Sequence, residues 1–134
     1  TKEQKYCTVM VDEMSLKNHL YYDRHDDKII GLEDYGSNDR SNKSANSVMV
    51  VMAQGVGGEK WTHPLGYFLV HNCCKGEDIQ KYIFAAITQL QNINLTPCHF
   101  VSDQGKNFQK FANILHISEE MPFFTVNGQT IFFF

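Results

Sequence analysis

One stretch of this chain decides what the rest can fold into. Ile79, Tyr82, Ile83, Ala86, Ile87 and Leu90 recur at three- and four-residue spacing, the period of a single helix face. Glu77 and Asp78 stand where acids favour a helix N-terminus, so the spacing predicts a helix that starts just after Gly76. The segments before it are strand-like, and another strand follows it. A helix joining strands of one sheet must cross that sheet, in the right-handed sense, and the crossover lays two strands parallel. The order therefore predicts an α/β fold whose mixed sheet has antiparallel strands first and a parallel strand afterwards, with flanking helices.

Tyr6 to Met14 is rich in apolar and β-branched residues and reads as a buried strand, interrupted by Asp12 and Glu13. Leu20 to Tyr22 and Lys28 to Leu32 flank the polar stretch Asp23 to Asp27 and read as a hairpin; Ser47 to Ala53 and Leu65 to His71 read as a second. Gly36 to Asn46 is almost wholly polar and is expected to be a mobile surface loop. Pro97 closes the connection after the helix, Cys98 to Ser102 is a short strand, and Asp103-Gln104-Gly105 turns into a second helix with Phe108, Phe111, Ala112 and Leu115 on its apolar face. Asn127-Gly128, between Phe123 to Val126 and Thr130 to Phe134, is a strong hairpin-turn dipeptide. No internal repeat is present.

The 134 residues, 43% hydrophobic and 20% charged, fit one globular domain over 1–134. The apolar run Ile131 to Phe134 predicts that the natural chain continues and covers these rings, so that the domain is partial. A formal net charge of -3 excludes the broad basic surface of a self-sufficient DNA-binding domain, but not a catalytic module that meets DNA through metal ions. The four cysteines, Cys7, Cys73, Cys74 and Cys98, lack C-x-x-C spacing and read as reduced structural thiols, which with the absence of a leader or long apolar span points to an intracellular protein with no membrane partner. His63, His71 and His99 could join Cys73 or Cys74 around zinc, but no ligand spacing supports it. The sequons at Asn42 and Asn94 carry little weight without secretion.

The chemistry-bearing residues are acids. An ionised carboxylate in an apolar strand is costly unless a cation or hydrogen-bond donors compensate it, so Asp12 needs an explanation. Asp103 stands at the carboxyl end of a strand, where open α/β sheets place their ligands. If the crossover brings its strand beside the first, the two aspartates become neighbours. Asp12 and Glu13 face opposite ways and cannot both serve one site from a regular strand. The plainer reading has equal weight on spacing alone: Asp103 caps the following helix, and Asp12 is a partly exposed strand-end residue. For Glu13 the choice lies between a supporting role behind the aspartates and a solvated position on the other face.

RNase H-like folds share this order of elements. Val11-Asp12-Glu13-Met14, Gly66-Tyr67-Phe68, Val101-Ser102-Asp103-Gln104-Gly105 with Asn107, and Ile131-Phe132-Phe133-Phe134 resemble the catalytic region of P-element-type transposases, including the THAP-domain transposases of animals. The resemblance runs from about Tyr6 to Phe134; each motif is short, and their order and spacing carry it. It implies that Asp12 and Asp103 are catalytic and hold Mg²⁺ or Mn²⁺, two ions in the complete site, with Asp12 bridging both and Asp103 holding one. It further implies a third acid far downstream, beyond an insertion similar to a GTP-binding domain. Cut-and-paste transposition is the activity that follows, metal-dependent DNA cleavage and strand transfer by a nuclear, homo-oligomeric parent protein acting on transposon ends and target DNA. This fragment alone is expected to be inactive.

The alternative is a domesticated, catalytically inactive descendant kept as an interaction or structural module. A flavodoxin-like nucleotide-binding domain would need helices between the early strands, where the sequence offers hairpins. Gly55-Val56-Gly57-Gly58 lacks the Lys-Ser/Thr of a phosphate loop and sits between strands. Trp61, His63 and Pro64 are expected to stiffen that loop. Phe100, Phe108, Phe111, Phe123 and Phe124 read as core rather than as base-stacking platforms.

Overall fold

The computed structural model describes residues 2–36, 39–58 and 60–134. After a 3-10 turn at Lys2–Lys5 come β1 (Tyr6–Ser15), β2 (Tyr21–Asp23), β3 (Lys28–Ile30), β4 (Leu32–Asp34), β5 (Arg40–Ser44), β6 (Ser47–Gly55) and β7 (Thr62–Val70). The crossover helix α1 (Gly76–Asn92) leads to β8 (Thr96–Ser102), and α2 (Lys106–Ile114) leads to the closing hairpin of β9 (Phe123–Val126) and β10 (Gln129–Phe133). The main sheet runs β5-β4-β7-β6-β1-β8-β10-β9, while β2 and β3 form a separate two-stranded ribbon.

The sheet is mixed as the element order predicts. β1 pairs antiparallel with β6 and β6 with β7; α1 then carries the chain across both, so that β8 lies parallel to β1. The antiparallel start removes the flavodoxin-like alternative. β10 continues the parallel half beside β8, and Asn127 and Gly128 both take positive φ, the conformation a two-residue hairpin turn requires.

Both helices lie against one face of the sheet. Their buried side chains, Ile79, Ile83, Ile87 and Leu90 of α1 and Phe108 and Phe111 of α2, join Val9, Val11, Met49, Val51, Phe100 and Ile131 in one core. Phe111 meets Phe100 edge-on with ring centroids 5.5 Å apart, which locks α2 over β8. Gly76 lets the helices approach: a Cβ there would stand 3.1 Å from the Phe111 backbone nitrogen. Among the described residues the opposite sheet face carries no helix, and Tyr67, Phe132 and Phe134 are exposed there. Phe123 belongs to that open face, edge-on to Phe132, rather than to the core with Phe124.

Two local expectations need correction. The stretch expected as a loop from Gly36 to Asn46 contains β5, with Ser37 and Asn38 outside the described residues. Polar residues suffice there because an edge strand needs only backbone partners on one side; Arg40 also pairs with Asp34 at 3.2 Å. Lys28 to Leu32 is two strands, broken at Gly31, whose φ of +106° and contact with the His19 carbonyl leave no room for a side chain.

No helix among the described residues is long and apolar enough to cross a membrane.

Candidate site at the end of the β1–β8 ladder

The β1–β8 ladder pairs Met10 with Val101 and Val11 with Ser102, and the next residue on each strand is an aspartate. Asp12 and Asp103 thus stand side by side just past the end of this ladder, the one where β1 continues alongside β6, the other where β8 turns toward α2. Asp12 is paired in register with Val50 on the β6 side. Together with Met10, Val50, Met52 and Val101 the two acids line an open depression of about 310 Å³ on the helix-free side.

Each aspartate makes one local hydrogen bond. Asp12 Oδ1 accepts the Glu13 N–H and Asp103 Oδ1 accepts the Gly105 N–H, both at 2.9 Å. The Asp103 bond closes a small turn ahead of α2, whose N-cap, Gly105, has no capping side chain; the plainer reading of Asp103 is therefore met only in part. The second oxygen of each carboxylate accepts no protein hydrogen bond among the described residues.

Of the two readings left open for Asp12, the structure bears out exposure. β1 is covered on one face, and strand alternation puts Cys7, Val9 and Val11 under the helices and Asp12 on the open face, where it is exposed. The desolvation argument raised for Asp12 applies instead to Glu13, which points to the helix side and is half-buried. Its Oε1 accepts the Cys74 N–H at 3.2 Å and Asn107 Nδ2–H at 3.1 Å. Burial pushes the Glu13 carboxyl above its ordinary range, the charges of Asp103 and Asp12 push the same way, and the two hydrogen bonds act against them. Glu13 is neither a solvated residue nor on the face of Asp12.

The remaining sequence candidates are scattered. His71 Nδ1 lies 2.7 Å from the Ser44 carbonyl and His99 Nδ1 3.4 Å from Thr8 Oγ1, while Cys74 is buried and Cys73 exposed, all thiols free. Among the described residues no group of three or more His, Cys, Asp or Glu side chains could hold a metal ion. Gly55 pairs with Cys7 at the far end of β1, five residues from Asp12 or about 16 Å at strand rise, so the glycine loop is remote from the acids. Its own role is to accommodate the Trp61 indole, which lies where a Gly55 side chain would be. An apolar depression of about 340 Å³ beside Trp61, Leu65 and Leu90 shares that remote end and contains no carboxylate. Asn107 entered the sequence reading only as part of the motif after Asp103, with no role of its own; the structure places it in the first turn of α2, against Glu13.

The acids of the site are hard oxygen donors, each with a carboxylate oxygen to spare, a donor set suited to Mg²⁺ or Mn²⁺ rather than zinc.

The sequence profile of the family described as TNP-like, RNase H N-terminal domain, matches residues 1–116. The human protein DNA transposase THAP9 is 28% identical over 116 residues, covering 84% of this chain and 13% of that protein. The Drosophila P element transposase strand transfer complex contains a chain that superposes with a TM-score of 0.79 at 20% identity, covering 99% of this chain and 27% of its own. The chain therefore spans a small part of the length of these relatives, and the sheet described above is the RNase H-like architecture of the P element transposase.

Proposed function

The chain belongs to the TNP-like, RNase H N-terminal domain family, and from that premise we propose that it forms part of the catalytic core of a cut-and-paste DNA transposase, with Asp12 and Asp103 as two of its metal-binding carboxylates. The observation that carries the reading is the adjacency of these two acids, 91 residues apart in sequence, one residue past the end of the β1–β8 ladder with one unengaged oxygen each.

Asp12 and Asp103 would hold Mg²⁺ or Mn²⁺, with water and phosphate oxygens completing the shell. When bound, the ions would activate the attacking oxygen and stabilise the leaving one in phosphodiester cleavage and strand transfer. The protein's part is positional. β1, paired along its length with β6, gives Asp12 a rigid base, and the β8 ladder holds the Asp103 turn beside it. The open face leaves both carboxylates accessible to a ligand as large as DNA. With a net charge of -3, this chain depends on the cations and on other parts of its parent protein for contact with the DNA backbone. A nuclear, oligomeric parent acting on transposon ends and target DNA is part of the same proposal.

Mn²⁺ titration of this chain, followed by electron paramagnetic resonance, tests the site directly. Wild type should bind Mn²⁺ in the millimolar range or tighter, and Asp12→Asn and Asp103→Asn should each abolish binding while leaving the fold intact. In the parent protein, Asp12→Ala or Asp103→Ala should abolish DNA cleavage and spare DNA binding. Cleavage retained by either variant removes the assignment, whereas a wild-type parent that binds DNA without cleaving it points to the non-catalytic module.

A further inference from the structure

We propose that Glu13 and Asn107 form a positioning pair, a brace that fixes the Asp103 turn against the strand bearing Asp12; it rests on the assignment of those two acids as ligands.

The pairing between β1 and β8 ends at Val11 and Ser102, so both aspartates lie one residue past the last paired position. Nothing in the ladder itself sets the direction of the Asp103 carboxylate. Glu13 supplies that restraint from behind. It follows Asp12 directly on β1, projects to the covered face, and receives Asn107 Nδ2–H across 94 residues of sequence. Asn107 in turn stands over Gly105: a Cβ at Gly105 would be 2.8 Å from Asn107 Oδ1 and 3.0 Å from Asp103 Oδ1. Asp103 Oδ1 is held by the Gly105 N–H. Asn107 Oδ1 and Asp103 Oδ1 thus crowd the same side of Gly105, and the Asn107 amide ties that turn to Glu13.

The same Glu13 oxygen also accepts the Cys74 N–H, which ties in the approach to α1. Three segments meet at one atom, β1, the entry to α1 and the first turn of α2. A carboxylate half-withdrawn from water is costly, and these donors are what compensate it. Such supporting hydrogen bonds orient ligands, and their loss typically costs ten- to a hundredfold in metal affinity.

The test uses the ¹⁵N-labelled chain, read by the Gly105 amide signal without metal and by Mn²⁺ affinity with it. Glu13→Gln keeps an acceptor oxygen; it should leave the Gly105 signal in place and Mn²⁺ affinity within about threefold, the effect of one screened charge. Glu13→Ala and Asn107→Ala should each move the Gly105 signal and weaken Mn²⁺ about tenfold. The double variant should be no worse than either single one, because both remove the same link. Should Glu13→Ala unfold the chain, Asn107→Ala carries the measurement. An unmoved Gly105 signal with wild-type Mn²⁺ affinity in Asn107→Ala, or Glu13→Gln as damaging as Glu13→Ala, overturns the brace. Absence of Mn²⁺ binding both in this chain and in the parent protein with its third acid overturns the ligand assignment instead, while the amide signal still reads the brace.

Discussion

Gly105→Ala isolates the space that the site requires from the backbone freedom usually credited to glycine. Gly105 has φ -59° and ψ 151°, a conformation open to any residue, so alanine brings no backbone strain. Its Cβ, however, would stand 2.8 Å from Asn107 Oδ1 and 3.0 Å from Asp103 Oδ1. The ends of two short side chains yield more readily than the backbone does, so the bond from Asn107 to Glu13 is the expected casualty. A hydrogen bond to a charged acceptor contributes about 1.5–3 kcal/mol. Restricting the unfolded chain by replacing glycine returns about 0.4–1 kcal/mol. The net loss is about 1–2 kcal/mol, a fall in Tm of about 4–8 °C for a domain of this size. Calorimetry gives the Tm, and the Asn107 side-chain amide signals in a ¹⁵N spectrum show whether that group has moved. Gly66→Ala is the control: its Cβ meets nothing within 4 Å, and removing a strand glycine should stabilise by about 0.5–1 kcal/mol. If Gly105→Ala melts at or above the wild-type temperature with unshifted Asn107 signals, the steric argument is wrong.

Phe111→Ala empties the centre of the core, where the ring touches Phe100, Phe124 and Phe133, and should cost about 3–5 kcal/mol in urea denaturation; Phe132→Ala on the open face should cost under about 1 kcal/mol. Iodoacetamide at pH 8 should label exposed Cys73 well before Cys7 and Cys74, as mass spectrometry of digests would show. Burial, helped by the neighbouring Cys98, pushes the Cys7 thiol to about 11, and burial with the charges of Asp78 and Glu13 pushes Cys74 to about 12. About one Cys7 in a thousand is then thiolate at pH 8. These raised values also fix the sign of an alkaline effect: the folded chain keeps protons that the unfolded chain releases, so Tm should fall as pH rises from about 9 towards 11, and a flat melting profile there would contradict the burial of both thiols.

The order of elements was legible because it rests on periodicity, which the core enforces: Ile79 to Leu90 at helix spacing, and the switch to strand patterning on either side. The adjacency of Asp12 and Asp103 followed from that order alone, since a crossover strand beside β1 has few other places to go. What the sequence hid was which face of β1 is covered. Val9 and Val11 alternate with Thr8 and Met10, and methionine serves equally well inside or out, so the residues alone left Asp12 open between a buried and a partly exposed position and Glu13 between a supporting role and solvent; the structure has Asp12 exposed and Glu13 half-buried. β5 was invisible for a related reason, because an edge strand held by backbone bonds leaves no apolar pattern. The Glu13 to Asn107 contact depends on where a loop and a helix start meet in space, and no local signal encodes that.

Strand pairing at β1 also limits where homologous chains can change length. One residue gained or lost between Tyr6 and Val11 would rotate every later side chain of the strand through half a turn, sending the Asp12 carboxylate beneath the helices and the Val11 position into water. The two-stranded ribbon of β2 and β3 makes no ladder with the main sheet, and the turn between β6 and β7 closes at the other end of the molecule from the acids. Lengthening either leaves the frame of β1 untouched. Insertions and deletions in this family are therefore expected to collect in those two excursions and to be rare in the ten residues of β1.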